Sequence, residues 1–210
     1  MKAIFLDLDG TLMDSKPGIE SSLRHAFLES GHDELAASDL TWMIGPPFHE
    51  SFARAGIEES EKVISLYRAH YQASGMFTAS VYDGVFDMLD TLAATGADLF
   101  IATAKPHAYA RLITAHFGLS RYMVAEFGPE LDGTRAHKGD LLAFALQETG
   151  HSAESSVMVG DRHHDIEAGT RVGMPAIAVT WGYGSEDEWA GAATRIDRPA
   201  ELAPAIAALG

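Results

Sequence analysis

The residues best equipped for chemistry are polar ones that stand where apolar runs end. AIFLDLDG carries Asp7 and Asp9 and is followed at once by Thr11, with Gly10 between; ADLFIAT at 97–103 ends on Thr103, with Ala104, Lys105 and Pro106 next. Lys138 heads a helical stretch after DGTRAH, and SSVMVGD at 155–161 closes on Asp161, with Asp165 four residues on. Buried carboxylates are costly unless something neutralises them. A cluster of hard oxygen donors without sulfur suits magnesium, which commonly keeps waters and accepts a substrate phosphate as ligand. The chemistry expected of such a set is phosphoryl transfer. Asp7 is placed to attack phosphorus as a carboxylate nucleophile. Asp9, on the same strand face by the period of two, is placed to protonate the leaving oxygen and then deprotonate water. Thr103 and Lys138 would stabilise the equatorial phosphoryl oxygens. Asp161 would ligate the metal, with Asp165 holding it directly or through water.

These residues can meet only if the strands carrying them share one sheet edge. Short, nearly continuous apolar runs at 2–8, 97–103, 122–127, 155–161 and 175–181 alternate with helical patterns at 84–96, 106–118 and 138–150, and a closing helix is expected at 199–209. That alternation predicts an α/β fold, a doubly wound, Rossmann-like parallel sheet covered on both faces. Ligands of such sheets bind beyond the carboxyl ends of the strands. Residues 16–80 break the pattern: about 65 residues of helical periodicity far exceed an ordinary strand-to-helix connection. The expected organisation is an all-helical cap over 15–80, inserted into a discontinuous core of 1–14 and 81–210, with linkers near 14–18 and 77–82.

Composition narrows the functional classes. The chain has 210 residues, 47% of them hydrophobic, enough for a full core, and a net charge of −15 with no basic run, which argues against nucleic acid or an anionic membrane surface as partner. It has no cysteine, which removes thiolate nucleophiles, disulfides and Cys-based zinc sites. No apolar run approaches the length of a membrane span or a signal-peptide core, so a cytoplasmic protein, monomer or homodimer, is expected.

DLDGT at 7–11, Thr103, Lys138 and the Gly160-Asp161 to Asp165 arrangement together resemble the haloacid dehalogenase superfamily of aspartate-based phosphatases. TAKP at 103–106, HFGL at 116–119, LDGTR at 131–135, MVGDRHHDI at 158–166 and GYGS at 182–185 look like its phosphoglycolate phosphatase branch, which includes nucleotidases. The resemblance implies that Asp7 is both nucleophile and magnesium ligand, that Asp9 adds its backbone carbonyl to the ion, and that Asp161 completes the set. It also implies a helical cap. Ala104 departs from the pattern, since relatives often carry Asn or Ser there.

The expected substrate is a small phosphorylated metabolite, phosphoglycolate-like, with Gly10, Thr11, Ala104 and Lys105 near the phosphate. The stiff loop IGPPFHE at 44–50 would project Gly45, Phe48 and His49 over it to sort substrates. Arg162, His163 and His164 read as solvent-facing, and Tyr67, His70 and Tyr71 as cap-packing residues. The alternatives are a nucleotidase acting on nucleoside monophosphates and a phosphomutase of the same chemistry. A non-catalytic phospho-receiver is a third, although a receiver has no long insert after its first strand.

Overall fold

The computed structural model describes residues 1–210. Its core is a six-stranded parallel sheet in the order β5-β4-β1-β6-β7-β8, formed by β1 (Ala3–Leu6), β4 (Asp98–Ala102), β5 (Ala125–Phe127), β6 (Ser156–Gly160), β7 (Ala176–Val179) and β8 (Thr194–Ile196). β1 lies at the centre, with Ile4 opposite both Leu99 and Val157. Because every strand runs the same way, all the carboxyl ends open on one edge.

Both faces of β1 are dry, which is why its sequence shows an unbroken apolar run rather than alternation. Period two still sorts it: Ile4, Leu6 and Leu8 join the larger hydrophobic cluster, while Ala3 and Phe5 join the smaller one on the opposite face. That smaller cluster draws on α7 (Lys138–Thr149) and α8 (His163–Val172). The other cluster packs α5 (Val85–Ala94), α6 (His107–His116) and α9 (Leu202–Ala208). α7 and α8 each stop at a left-handed glycine, Gly150 and Gly173.

The helical segment is entered through β2 (Met13–Asp14) and left through β3 (Ser80–Val81), which pair antiparallel as a two-stranded ribbon apart from the main sheet. Between them come α1 (Lys16–Glu29), α2 (Asp33–Ala37), α3 (Phe48–Arg54) and α4 (Ser60–His70), the last continuing into a π-turn at Tyr71–Gly75. α1 crosses that turn with no side chain between them: a Cβ on Gly18 would run into the carbonyl oxygens of Gly75 and Thr78. Ile19, Leu23, Phe27, Phe52, Tyr67 and Tyr71 bury their side chains in the same cluster that covers β1.

The strands are shorter than the apolar runs that announce them, by one or two residues at most ends. β8 went unannounced because Thr-Arg-Ile has no apolar run: it pairs with β7 alone, at the sheet edge, and leaves Arg195 exposed. No helix is long and apolar enough to cross a membrane.

Candidate active site

Asp7 follows Phe5 on the face of β1 that looks toward α7 and α8. Its amide still donates to Val159 O at 2.9 Å, so the backbone is fixed although the strand has ended. Its carboxylate meets Lys138, from the first residue of α7, at 2.9 Å. The same ammonium is paired with Asp165, from the first turn of α8. Asp161, at the end of β6, completes the group: Asp7, Asp161 and Asp165 can bring one oxygen each within 4.8 Å of one another, and all three are buried.

Three carboxylates facing one ammonium leave an excess of two negative charges in a dry place. Burial, with Asp165 and Asp9 adding their charges and Lys138 opposing them, pushes the Asp7 carboxyl up to about 6. Burial followed by the charges of Asp165 and Asp7 raises Asp161 well above the carboxylate range. Asp161 Oδ2 accepts from the Tyr183 amide at 2.6 Å, but Oδ1 is buried with no partner. An oxygen of this kind calls for an explanation. A divalent cation supplies one: it answers the orphaned oxygen and the charge excess together, and the all-oxygen donor set suits magnesium.

The backbone crowds this cluster. Gly10 has φ +82°, and a Cβ there would strike the Asp161 carboxylate. A Cβ on Gly160 would strike Asp165, and one on Gly182 would meet Gly10 O and Asp161. These glycines hold the chain close to the acids rather than line the cavity. Thr11 likewise faces inward, 1% exposed, its hydroxyl without a partner.

Asp9 departs from the period-two expectation. β1 ends at Leu6, and residues 8–13 curl so that the amides of Thr11, Leu12 and Met13 all point at Leu8 O. Asp9 therefore takes partners of its own, while Lys138 pairs with Asp7 and Asp165. Its Oδ1 accepts from Ser15 Oγ at 2.5 Å and its Oδ2 pairs with Lys105 at 3.0 Å. Lys105 also donates to the Tyr71 phenol oxygen at 2.8 Å, across from the helical segment. Burial works against the Lys105 ammonium, yet Asp9 and the tyrosines keep it charged, above its usual range. Thr103 is buried one strand over, its hydroxyl accepting from the Lys105 amide at 3.2 Å.

A cavity of about 280 Å³ opens above Asp7 and Asp9, between core and helical segment. Thr103, Ala104 and Lys105 line its core side, and Gly45, Phe48 and His49 line it from the helical segment. Tyr67 and Tyr71 are packed as expected, with rings stacked 5.3 Å apart, but they also face the cavity alongside Tyr109. His70 stays outside it, stacked on His25 and bonded to Ser22.

The solvent-facing reading of residues 162–164 is corrected. Arg162 is 7% exposed; its Nε donates to Glu188 at 2.8 Å and its Nη1 donates to the Ile44 carbonyl. His163 meets the same Glu188 carboxylate at 2.8 Å. His164 is partly buried, and burial followed by the neighbouring charge of His163 lowers it to about 4. Glu188 carries no signal in the sequence, because its partners are 25 or more residues away, and GYGS at 182–185 marks Tyr183 without showing that its hydroxyl reaches Asp14.

Comparison with known proteins points to one family. Residues 4–179 match the model of the haloacid dehalogenase-like hydrolases. The chain is 38% identical over 209 residues to a 5'-nucleotidase of Pseudomonas aeruginosa, covering 98% of this chain and 92% of that one. It is 40% identical over 185 residues to the tyrosine-protein kinase PtkA of Mycobacterium tuberculosis, spanning 88% of this chain but 64% of that protein. A phosphoglycolate phosphatase of Agrobacterium fabrum is 31% identical over 189 residues, 86% of this chain and 81% of its own. The solved structure of a predicted phosphatase from Clostridium acetobutylicum superposes with a TM-score of 0.93 at 33% identity, over 99% of this chain and 98% of that one. The chain belongs to the haloacid dehalogenase-like hydrolase family, as one of its phosphatases.

Proposed function

We propose that the protein is a magnesium-dependent phosphatase that hydrolyses a small phosphate monoester through a phosphoaspartate on Asp7. The observation that carries this reading is the buried group of Asp7, Asp161 and Asp165 with its charge excess and its partnerless Asp161 oxygen, beside a cavity that Asp7 and Asp9 line. Asp7, Asp161 and the Asp9 carbonyl would hold the ion, with Asp165 joining directly or through water. When bound it neutralises charge on the phosphoryl oxygens. The Asp7 carboxylate attacks phosphorus, and the bond to the leaving oxygen breaks as Asp9 gives that oxygen its proton. Water then attacks the phosphoaspartate and yields its proton to Asp9; phosphate leaves, Asp7 is freed as a carboxylate and Asp9 is again protonated as it was at the start. Lys138 stays charged throughout; burial opposes its ammonium, but Asp165 and Asp7 hold it above its usual range. Thr103 and Lys138 steady the transferring oxygens.

The cavity favours the second of the substrate readings. Phosphoglycolate is small and doubly acidic, whereas about 280 Å³ walled by Phe48, Tyr67, Tyr71 and Tyr109 suits a leaving group with a planar ring. The lysine lining the core side is already committed, Lys105 to Asp9 and Tyr71, while Arg68 at the rim spends one donor on the Leu131 carbonyl. We therefore place nucleoside monophosphates ahead of phosphoglycolate. The deciding experiment measures phosphate release with magnesium against nucleoside monophosphates, phosphoglycolate and sugar phosphates. The highest kcat/KM is expected for a nucleotide, and a clear preference for phosphoglycolate would overturn the substrate reading. No release from any ester, or full activity of Asp7→Asn, would overturn the chemistry.

A further inference from the structure

We infer that Arg162 is a positioning residue that fixes the 44–47 stretch of the helical segment over the cavity and so sets how the leaving group is held. Its kinetic part rests on the phosphatase reading; its structural part does not. The stretch Ile44-Gly45-Pro46-Pro47 lines the cavity and leads into α3 with Phe48; the buried Ile44 side chain and bonds to its own neighbours, Ile44 N–H to Thr41 O and the Glu50 and Ser51 amides to Pro47 O, hold it within the helical segment but do not tie it to the core. Two prolines lack amide hydrogens, and Gly45 sits at φ +104°. The bond from Arg162 Nη1 to Ile44 O is the one hydrogen bond that reaches residues 43–47 from the core. Gly45 lies flat on the arginine stem, where a Cβ would come within 3.2 Å of Arg162 Cγ.

The other end of the arginine is anchored in the acid cluster. Its amide donates to Asp165 Oδ2 at 3.0 Å, and its chain neighbour is Asp161. Its Nε is neutralised by Glu188, which is itself held by His163. A buried guanidinium is costly without such partners, and its planar fork can serve Glu188 and Ile44 at once where a lysine ammonium cannot. The carboxylates at the strand end and the wall that meets the leaving group are thus two sides of one residue.

The test compares the full-length wild type with Arg162→Lys and Gly45→Ala, which disturb the contact from its two sides, and with the double variant. Hydrogen exchange is expected to quicken at amides within 41–50 in both single variants, with α7 unchanged. Toward a nucleoside monophosphate, KM is expected to rise about tenfold, the worth of one charge-assisted hydrogen bond, with kcat within about threefold. The two substitutions should be less than additive, because they break the same contact. Unchanged exchange at 41–50 overturns the inference, as does faster exchange across the whole chain, which marks a merely structural role. Additive effects on KM overturn it too. If no ester is turned over but exchange quickens locally, the positioning role stands and the phosphatase reading falls.

Discussion

Asp7→Asn is expected to abolish turnover and to make the metal-free protein more stable. The Asp7 carboxyl is moved from 3.8 to about 6 by burial among other acids. The folded state therefore binds a proton more readily than the unfolded chain, and at pH 8 it holds an ionised Asp7 at a cost of about 3 kcal/mol. Asparagine keeps the shape and removes that cost. The sign follows: wild type is disadvantaged fully above the folded value, about half as much near pH 5, and hardly at all below 3.8, where both states are protonated. For a chain of this size about 3 kcal/mol corresponds to roughly 6–12 °C in Tm. The assay is urea or thermal unfolding of both proteins in chelator at pH 8 and pH 5, repeated at pH 8 with magnesium. The Asn variant should lead by about 3 kcal/mol at pH 8 and by about half of that at pH 5. Magnesium should narrow the gap, since wild type binds it through the carboxylate. An Asn variant no more stable than wild type at pH 8, or a lead that does not shrink at pH 5, would refute the reasoning.

Gly18→Ala pushes a methyl into the carbonyls of Gly75 and Thr78, backbone that cannot step aside. A loss of about 1–3 kcal/mol is expected in denaturant unfolding, the usual range for overpacking. Tyr183→Phe removes one hydroxyl that accepts from the amides of Ser15 and Lys16, at 2.8 and 3.0 Å, and donates to Asp14 at 2.9 Å. It leaves the Tyr183 amide on Asp161, so exchange at amides 15 and 16 should quicken while magnesium affinity, read by calorimetry, stays within about threefold. Lys138→Met leaves Asp7 and Asp165 buried without their ammonium. In chelator at pH 8 it should cost about 3–5 kcal/mol, recovered in part on acidification.

The core was legible because strands buried on both faces must be apolar throughout, and because their last residues all reach one edge. That rule and the spacing of their motifs place Asp7, Thr103, Lys138, Asp161 and Asp165 at one edge, where the structure has them. What escaped was set by packing between distant segments. Arg162 reads as a solvated charge until the Ile44 carbonyl is brought over it. Asp9 keeps strand periodicity on paper, but the chain curls after Leu6 and gives it Ser15 and Lys105 as partners. Tyr71 shows helical spacing and packs accordingly; that its hydroxyl also meets Lys105 depends on where α4 lands.

The two oxygens of Asp9 amount to an interlock. One is tied to Ser15, at the entry to the helical segment, and the other reaches its far end through Lys105 and Tyr71. Lifting that segment would pull the ammonium's phenol partner away and loosen the serine together, leaving Asp9 open to water with its neighbours rearranged. Asp9 therefore keeps both of its partners only while both ends of the segment are seated.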